Sequence, residues 1–142
     1  MAEDAVLAEM RALRDRVVGI TDTALASRDG LIVRADTGTI DPDNLAALAA
    51  AMLGVAQRIA AEVGQGSLHD AVVKSSGGYV ATYAVGGRAL LVVVGDTGVN
   101  RGLLYRESRS AVDHLESLLA EASSKTGRVA TGKDETGEIR YD

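Results

Sequence analysis

Gly95, Gly98 and Gly102 stand between an apolar run and a helical pattern, the one place where this chain approaches a phosphate-binding loop. Such a loop needs glycines at a strand end and a helix N-terminus whose free N–H groups face the anion. The spacing here is not G-x-G-x-x-G, and no Lys-Ser or Lys-Thr follows. Gly77-Gly78 and Gly86-Gly87 are each followed by strand-like sequence, so they read as tight hairpin turns where positive φ is needed. His69 and His114 are the only histidines, far apart and in no metal-ligating pattern, and Ser75-Ser76 lacks the setting of a nucleophile elbow. Tyr79 and Tyr83 share one face of a strand and read as the edge of a core. No nucleophile, base and oxyanion donor assemble. The residues predict no catalytic site, no cofactor and no metal.

The elements follow from periodicity. Val6, Met10, Leu13 and Val17 recur at helical spacing, with acids early where the helix dipole favours them, predicting a first helix over Asp4 to Arg16. Two short strands flank Ser27-Arg28-Asp29-Gly30, since Asp-Gly between apolar runs is a hairpin signal. A second helix runs from about Asp43 to Val63, with Pro42 in its first turn and either Asp41 or Asp43 as N-cap. Three strands divided by the glycine pairs come next, the last apolar on both faces. A third helix then repeats Leu104, Ala111, Leu115, Leu118 and Ala122 on one face. The expected fold is α+β, in the order α-β-β-α-β-β-β-α, one antiparallel sheet with helices on both faces. Residues 1–122 form the domain. Residues 123–142 are polar and bury too little apolar surface to offset ordering costs of roughly 1–2 kcal/mol each, so they read as a disordered tail.

The central helix is the most informative element. Leu45, Leu48, Met52, Val55, Ile59 and Val63 make one stripe of large aliphatics, expected to lie on the sheet. A neighbouring face carries Ala46, Ala49, Ala50, Leu53, Ala56 and Ala60 with Gln57, small enough to admit a second helix closely. Only Ala47, Ala51, Gly54, Arg58 and Glu62 remain as a wet face. Apolar character around so much of one helix predicts a homodimer through it.

Composition narrows the partners. The chain has 142 residues, a net charge of −5 and no cysteine, which excludes disulfides and disfavours nucleic acid or an anionic membrane. The start, "MAEDAVLAEM", is acidic and amphipathic, unlike a signal peptide or membrane anchor, so a cytoplasmic protein with no membrane insertion is expected.

The segments "ASRDGLIVRAD", "DNLAALAAAMLGVAQRIAAEVGQGSLHDAVV" and "GGYVATYAVGGRALLVVVGDTGVNRGLLYRESRSAVDHL" together resemble the roadblock family, the dynein-light-chain-like and bacterial GTPase-regulator proteins, over Ala5 to Ala122. The resemblance implies a five-stranded antiparallel sheet and pairing through the central helix and third strand. On this chain that pairing would use Ala46, Ala49, Leu53, Gln57 and Ala60 of the helix, with Leu68, Ala71 and Val73 of the strand. It further implies a non-enzymatic module that binds a Ras-like small GTPase and regulates or scaffolds it, including as an activating partner. The wet face of Ala47, Ala51, Gly54, Arg58 and Glu62 is the expected GTPase contact. Arg58 there reads either as an arginine finger or as a surface side chain one turn from Glu62. The alternative function is a small-molecule-sensing domain in a signalling pathway. With four tyrosines and no other aromatic residue, the chain offers little for such a pocket.

Overall fold

In the computed structural model, residues 2–131 are described, with surface exposure assigned for residues 4–123. The elements are α1 (Ala2–Arg16), β1 (Ile20–Ser27), β2 (Ile32–Asp36), α2 (Pro42–Glu62), β3 (Asp70–Ser75), β4 (Gly78–Val85), β5 (Ala89–Gly95) and α3 (Arg101–Thr131). This is the expected order. The boundary expected after residue 122 falls inside α3, which continues to Thr131. The rest of the expected tail, 132–142, lies outside the described residues.

The five strands form one antiparallel sheet in the order β2-β1-β5-β4-β3. Consecutive hairpins turn where the sequence places Asp-Gly and the glycine pairs. Gly30 shows why the first turn needs glycine: its φ is +89°, and a Cβ there would come 3.0 Å from Ala47 Cα on α2. β5 sits in the middle of the sheet and is buried on both faces, which accounts for its unbroken apolar run. β2 and β3 are the edges. Near the start of β1 the buried Asp22 carboxylate accepts from the Thr21 hydroxyl at 2.6 Å and from the Gly38 N–H at 2.9 Å. That pair of bonds ties the loop before α2 to the sheet.

Two cores result, one on each side of the sheet. On the first, Leu25, Ala81, Tyr83, Leu91 and Val93 meet Val6, Met10 and Leu13 of α1 and Leu104, Ala111 and Leu115 of α3. The two helices are joined by Arg16 Nε to Glu107 at 2.7 Å, while Arg14 reaches Asp36 of β2 at 3.2 Å. The first pair is exposed and the second only partly buried, so they orient α1 more than they stabilise it. On the second side α2 alone touches all five strands, with Ala24, Ala26, Leu90 and Val92 beneath it.

Tyr83 is the largest side chain in the first core and is 1% exposed. Burial pushes its hydroxyl up to about 12, and the nearby Ser108 opposes the shift without reaching hydrogen-bond geometry. The folded state therefore favours the neutral phenol. Its contribution is complete below the unfolded-state value of about 10 and is lost as pH rises towards 12. Denaturant unfolding from pH 9 to 12 should show the wild-type chain losing up to about 2–3 kcal/mol more than Tyr83→Phe over that window. Parallel curves for the two would mean that Tyr83 ionises freely in the fold.

Candidate functional site on the central helix

α2 starts where its sequence places a cap. Asp41 is the N-cap, its Oδ1 accepting from the Asp43 N–H at 3.1 Å, and Pro42 occupies the first turn. Alanine at eight of the next twenty positions supplies propensity, and the chain then leaves the helix through Gly64 at φ +72°.

The orientation of α2 reverses the expectation. Ala46, Ala49 and Leu53 are buried against Ala24, Ala26, Leu90 and Val92 of the sheet, so this small face is the intramolecular one. These three residues are consequently unavailable to a second chain. Gln57 is also committed within the chain: its Oε1 accepts from the Leu68 N–H at 2.9 Å and its Nε2 donates to the Gly66 carbonyl at 3.3 Å. It clamps the connection from α2 to β3. Ala60 is half-buried, and Leu68 and Ala71 pack partly under α2.

The large stripe expected on the sheet lies outside instead. Leu48, Val55, Ile59 and Val63 are 63%, 59%, 60% and 59% exposed. Leu45 and Met52, at the margin of the stripe, are half-buried. Small side chains let the helix approach the sheet closely, and Gly30 and Ala47 meet at that approach. A helix seated on Leu48 and Ile59 would stand further off and leave Ala24 and Ala26 facing a gap. The stripe was visible in the sequence as an apolar period, but the period does not say which of two faces goes inward.

The five wet-face residues, Ala47, Ala51, Gly54, Arg58 and Glu62, are all exposed and form one row along α2. Arg58 and Glu62 join Val55, Ile59 and Val63 around a shallow depression of about 320 Å³. Next to α2, β3 is an unpaired edge on which Val72 and Val73 are exposed. Of the histidines, His114 lies 3.4 Å from Glu9 on the far side of the sheet, and the His69 carbonyl accepts from the Ala84 N–H. The structure does not bring the two histidines to one place. Among the described residues, no group of three or more His, Asp or Glu side chains is placed to hold a metal ion.

Residues 7–95 match the Roadblock/LC7 domain. The chain belongs to the roadblock family. The roadblock domain is 30% identical over 116 residues to an uncharacterized protein of Methanocaldococcus jannaschii, covering 81% of this chain and 97% of that protein. Among solved structures it is similar to a Roadblock/LC7 domain from Streptomyces avermitilis, with a TM-score of 0.75 at 24% identity over 79% of this chain and 95% of the other. The gliding protein MglB of Thermus thermophilus matches with a TM-score of 0.79 at 18% identity, over 85% of this chain and 93% of the other. An MglB structure described as having a tetrameric arrangement matches with a TM-score of 0.80 at 19% identity, over 86% and 93%. At such identities these structures share the fold with this roadblock domain.

The reversed α2 has a direct test. Leu53→Ala should cost about 2–5 kcal/mol in denaturant unfolding, because it opens a cavity between α2 and the sheet. A loss below about 0.5 kcal/mol, the range of a surface change, would put Leu53 outside the core.

Proposed function

We propose that this roadblock domain is a cytoplasmic, non-enzymatic homodimer that binds a Ras-like small GTPase and regulates or scaffolds its nucleotide cycle. The single observation that carries the dimer is the uncovered stripe of Leu48, Val55, Ile59 and Val63 beside the open edge of β3. Monomers rarely leave a contiguous apolar patch of this kind in water. A two-fold operation would cover the stripe with its own copy and let β3 pair with β3, extending the sheet and removing an exposed edge. α2 is 21 residues long and contains an 18-residue stretch with a mean hydropathy of 1.4, long and apolar enough by composition to cross a membrane. That composition suits a soluble helix with the sheet on one side and a second protein surface on another. The interface in this reading uses Leu48, Met52, Val55, Ile59 and Val63 with Ala71 and Val73, which share the α2 face of β3. The tetrameric arrangement of the MglB neighbour supports self-association as a habit of this fold.

The GTPase reading rests on family membership and on the exposed row of Ala47, Ala51, Gly54, Arg58 and Glu62, which borders the stripe. In a dimer two such rows would lie near each other and offer a broad, mostly small-residue platform. The strand-to-helix segment after β5 has no phosphate-loop pattern, so the bound nucleotide belongs to the partner. Any acceleration of hydrolysis would come from favouring one arrangement of the partner's switch loops.

Ile59→Asp places a charge in the proposed interface at a site exposed in the single chain, so the fold should survive while dimerisation loses about 3–5 kcal/mol. Sedimentation should find dimers for the wild-type chain and folded monomers for the variant. Affinity capture from extract of the native cells, with GDP or a GTP analogue added, should retain a small GTPase in a nucleotide-dependent way for a regulator and in both states for a scaffold. A dimeric Ile59→Asp chain would overturn the interface. Capture without any small GTPase would overturn the partner.

A further inference from the structure

On the sheet face away from α2, the outer side of β3 is not covered by α3. Residues paired across a ladder share a face, so Val72 and Lys74 lie on the side of their partners Ala81 and Tyr79, towards α3. α3 packs over β4 and stops short of the edge, leaving Val72 42% exposed and Lys74 exposed. The wall of this shelf is one flank of α3, where Arg101 and Tyr105 follow at a spacing of one turn. The Arg101 guanidinium sits 5.7 Å from the Tyr79 ring centroid, and the Tyr105 ring lies 6.3 Å from Tyr83 while remaining 47% exposed. Three of the four tyrosines in the chain therefore converge here, in a molecule with no other aromatic residue. At the Lys74 end the shelf deepens into a cavity of about 300 Å³ between Lys74, Tyr79, Val99 and Arg101.

We propose that this shelf is a docking surface for an acidic segment of a partner protein that carries one aliphatic or aromatic anchor. Val72 and Tyr105 supply the apolar seat, and tyrosine and arginine are the residue types that concentrate binding energy at interfaces. Lys74 and Arg101 supply the charge. Stacking on Tyr79 already restricts Arg101, so less freedom is lost when a carboxylate binds it. Two acids border the shelf. Asp96 at the deep end has its Oδ1 engaged by the Gly98 N–H at 2.9 Å, and Asp70 stands at the opposite end beside Tyr83. Two cations, Lys74 and Arg101, face the single carboxylate of Asp96 at that end and leave it net positive, so the partner's acid belongs there, with its anchor over Val72 and Tyr105.

Charge alone would admit residues 132–142, which carry Asp134, Glu135, Glu138 and Asp142 around Ile139. Within one chain residues 132–142 do not reach back to the Arg101 end. Thirty helical residues separate Arg101 from Thr131, about 45 Å, whereas the eleven residues 132–142 span at most about 40 Å fully extended. Because the shelf lies on the face opposite α2, a second copy seated on the α2 stripe does not cover it. The proposal therefore stands independently of the GTPase reading.

The test is to pan a random peptide library against the full chain and, in parallel, against the double variant Lys74→Glu, Arg101→Glu, both sites being exposed. Circular dichroism and sedimentation should be unchanged in the variant. Peptides enriched by the wild-type chain should carry Asp or Glu beside one aliphatic or aromatic residue. Their affinity should fall about tenfold on the variant, fall again with Tyr105→Ala, and weaken with added salt. No enrichment, enrichment of basic or uncharged peptides, or equal binding to wild type and variant would overturn the proposal. A synthetic peptide of residues 132–142 is run as a competitor. If it displaces the selected peptides at equal affinity, the occupant is the tail of a second copy and the external partner is ruled out.

Discussion

The close seat of α2 on the sheet governs the rest of this molecule. Ala46, Ala49 and Leu53 meet Ala24, Ala26, Leu90 and Val92, small surfaces opposed to small surfaces, so the helix axis comes near the strands. Everything large and aliphatic on α2 is thereby displaced to the outside. One helix must also serve five strands, and it leaves part of its side of the sheet and the β3 edge in water. The other face is satisfied differently. Two helices, α1 and α3, share it and bury Met10, Leu13, Leu104 and Leu115 completely. The asymmetry between a face with two helices and a face with one sets where the chain is finished and where it is not.

That asymmetry gives the two surfaces distinct chemistry. Around α2 and the β3 edge the exposed side chains are aliphatic and carry almost no hydrogen-bonding capacity, which suits a permanent contact that excludes water. Beyond the stripe the surface turns to alanine, glycine and one Arg and Glu, flat and small. On the α3 side of β3 the exposed groups are tyrosine, arginine and lysine, which suit a smaller and more polar contact. The two faces of β3 thus have different properties, because a strand alternates its side chains and only one of its faces lies near α2.

Much of the architecture was legible in local signals. The Asp-Gly turn, the glycine pairs between β-branched runs, the Asp41–Pro42 start of α2 and the doubly apolar β5 each depend on interactions within a few residues, and all stand where the sequence predicts. Tyr79 and Tyr83 share the α3 face as their spacing requires. The order of these elements also carried the roadblock resemblance that the family match over residues 7–95 shows. The helical bounds were less legible at the C-terminal end, where α3 runs past Ala122 to Thr131 without a composition that favours burial.

What the sequence by itself determined was the set of elements and the fact that α2 has two apolar faces. Both are properties of period and composition, which a helix displays whatever it packs against. Only the tertiary structure decided that the alanine face goes to the sheet, that Leu48, Val55, Ile59 and Val63 stay outside, and that Gln57 closes the α2–β3 connection. The physical reason is that inward and outward are relations between surfaces. Leu53 is buried because Ala24 and Ala26 lie beneath it, from a strand about thirty residues away, and no pattern within α2 encodes the depth of that seat.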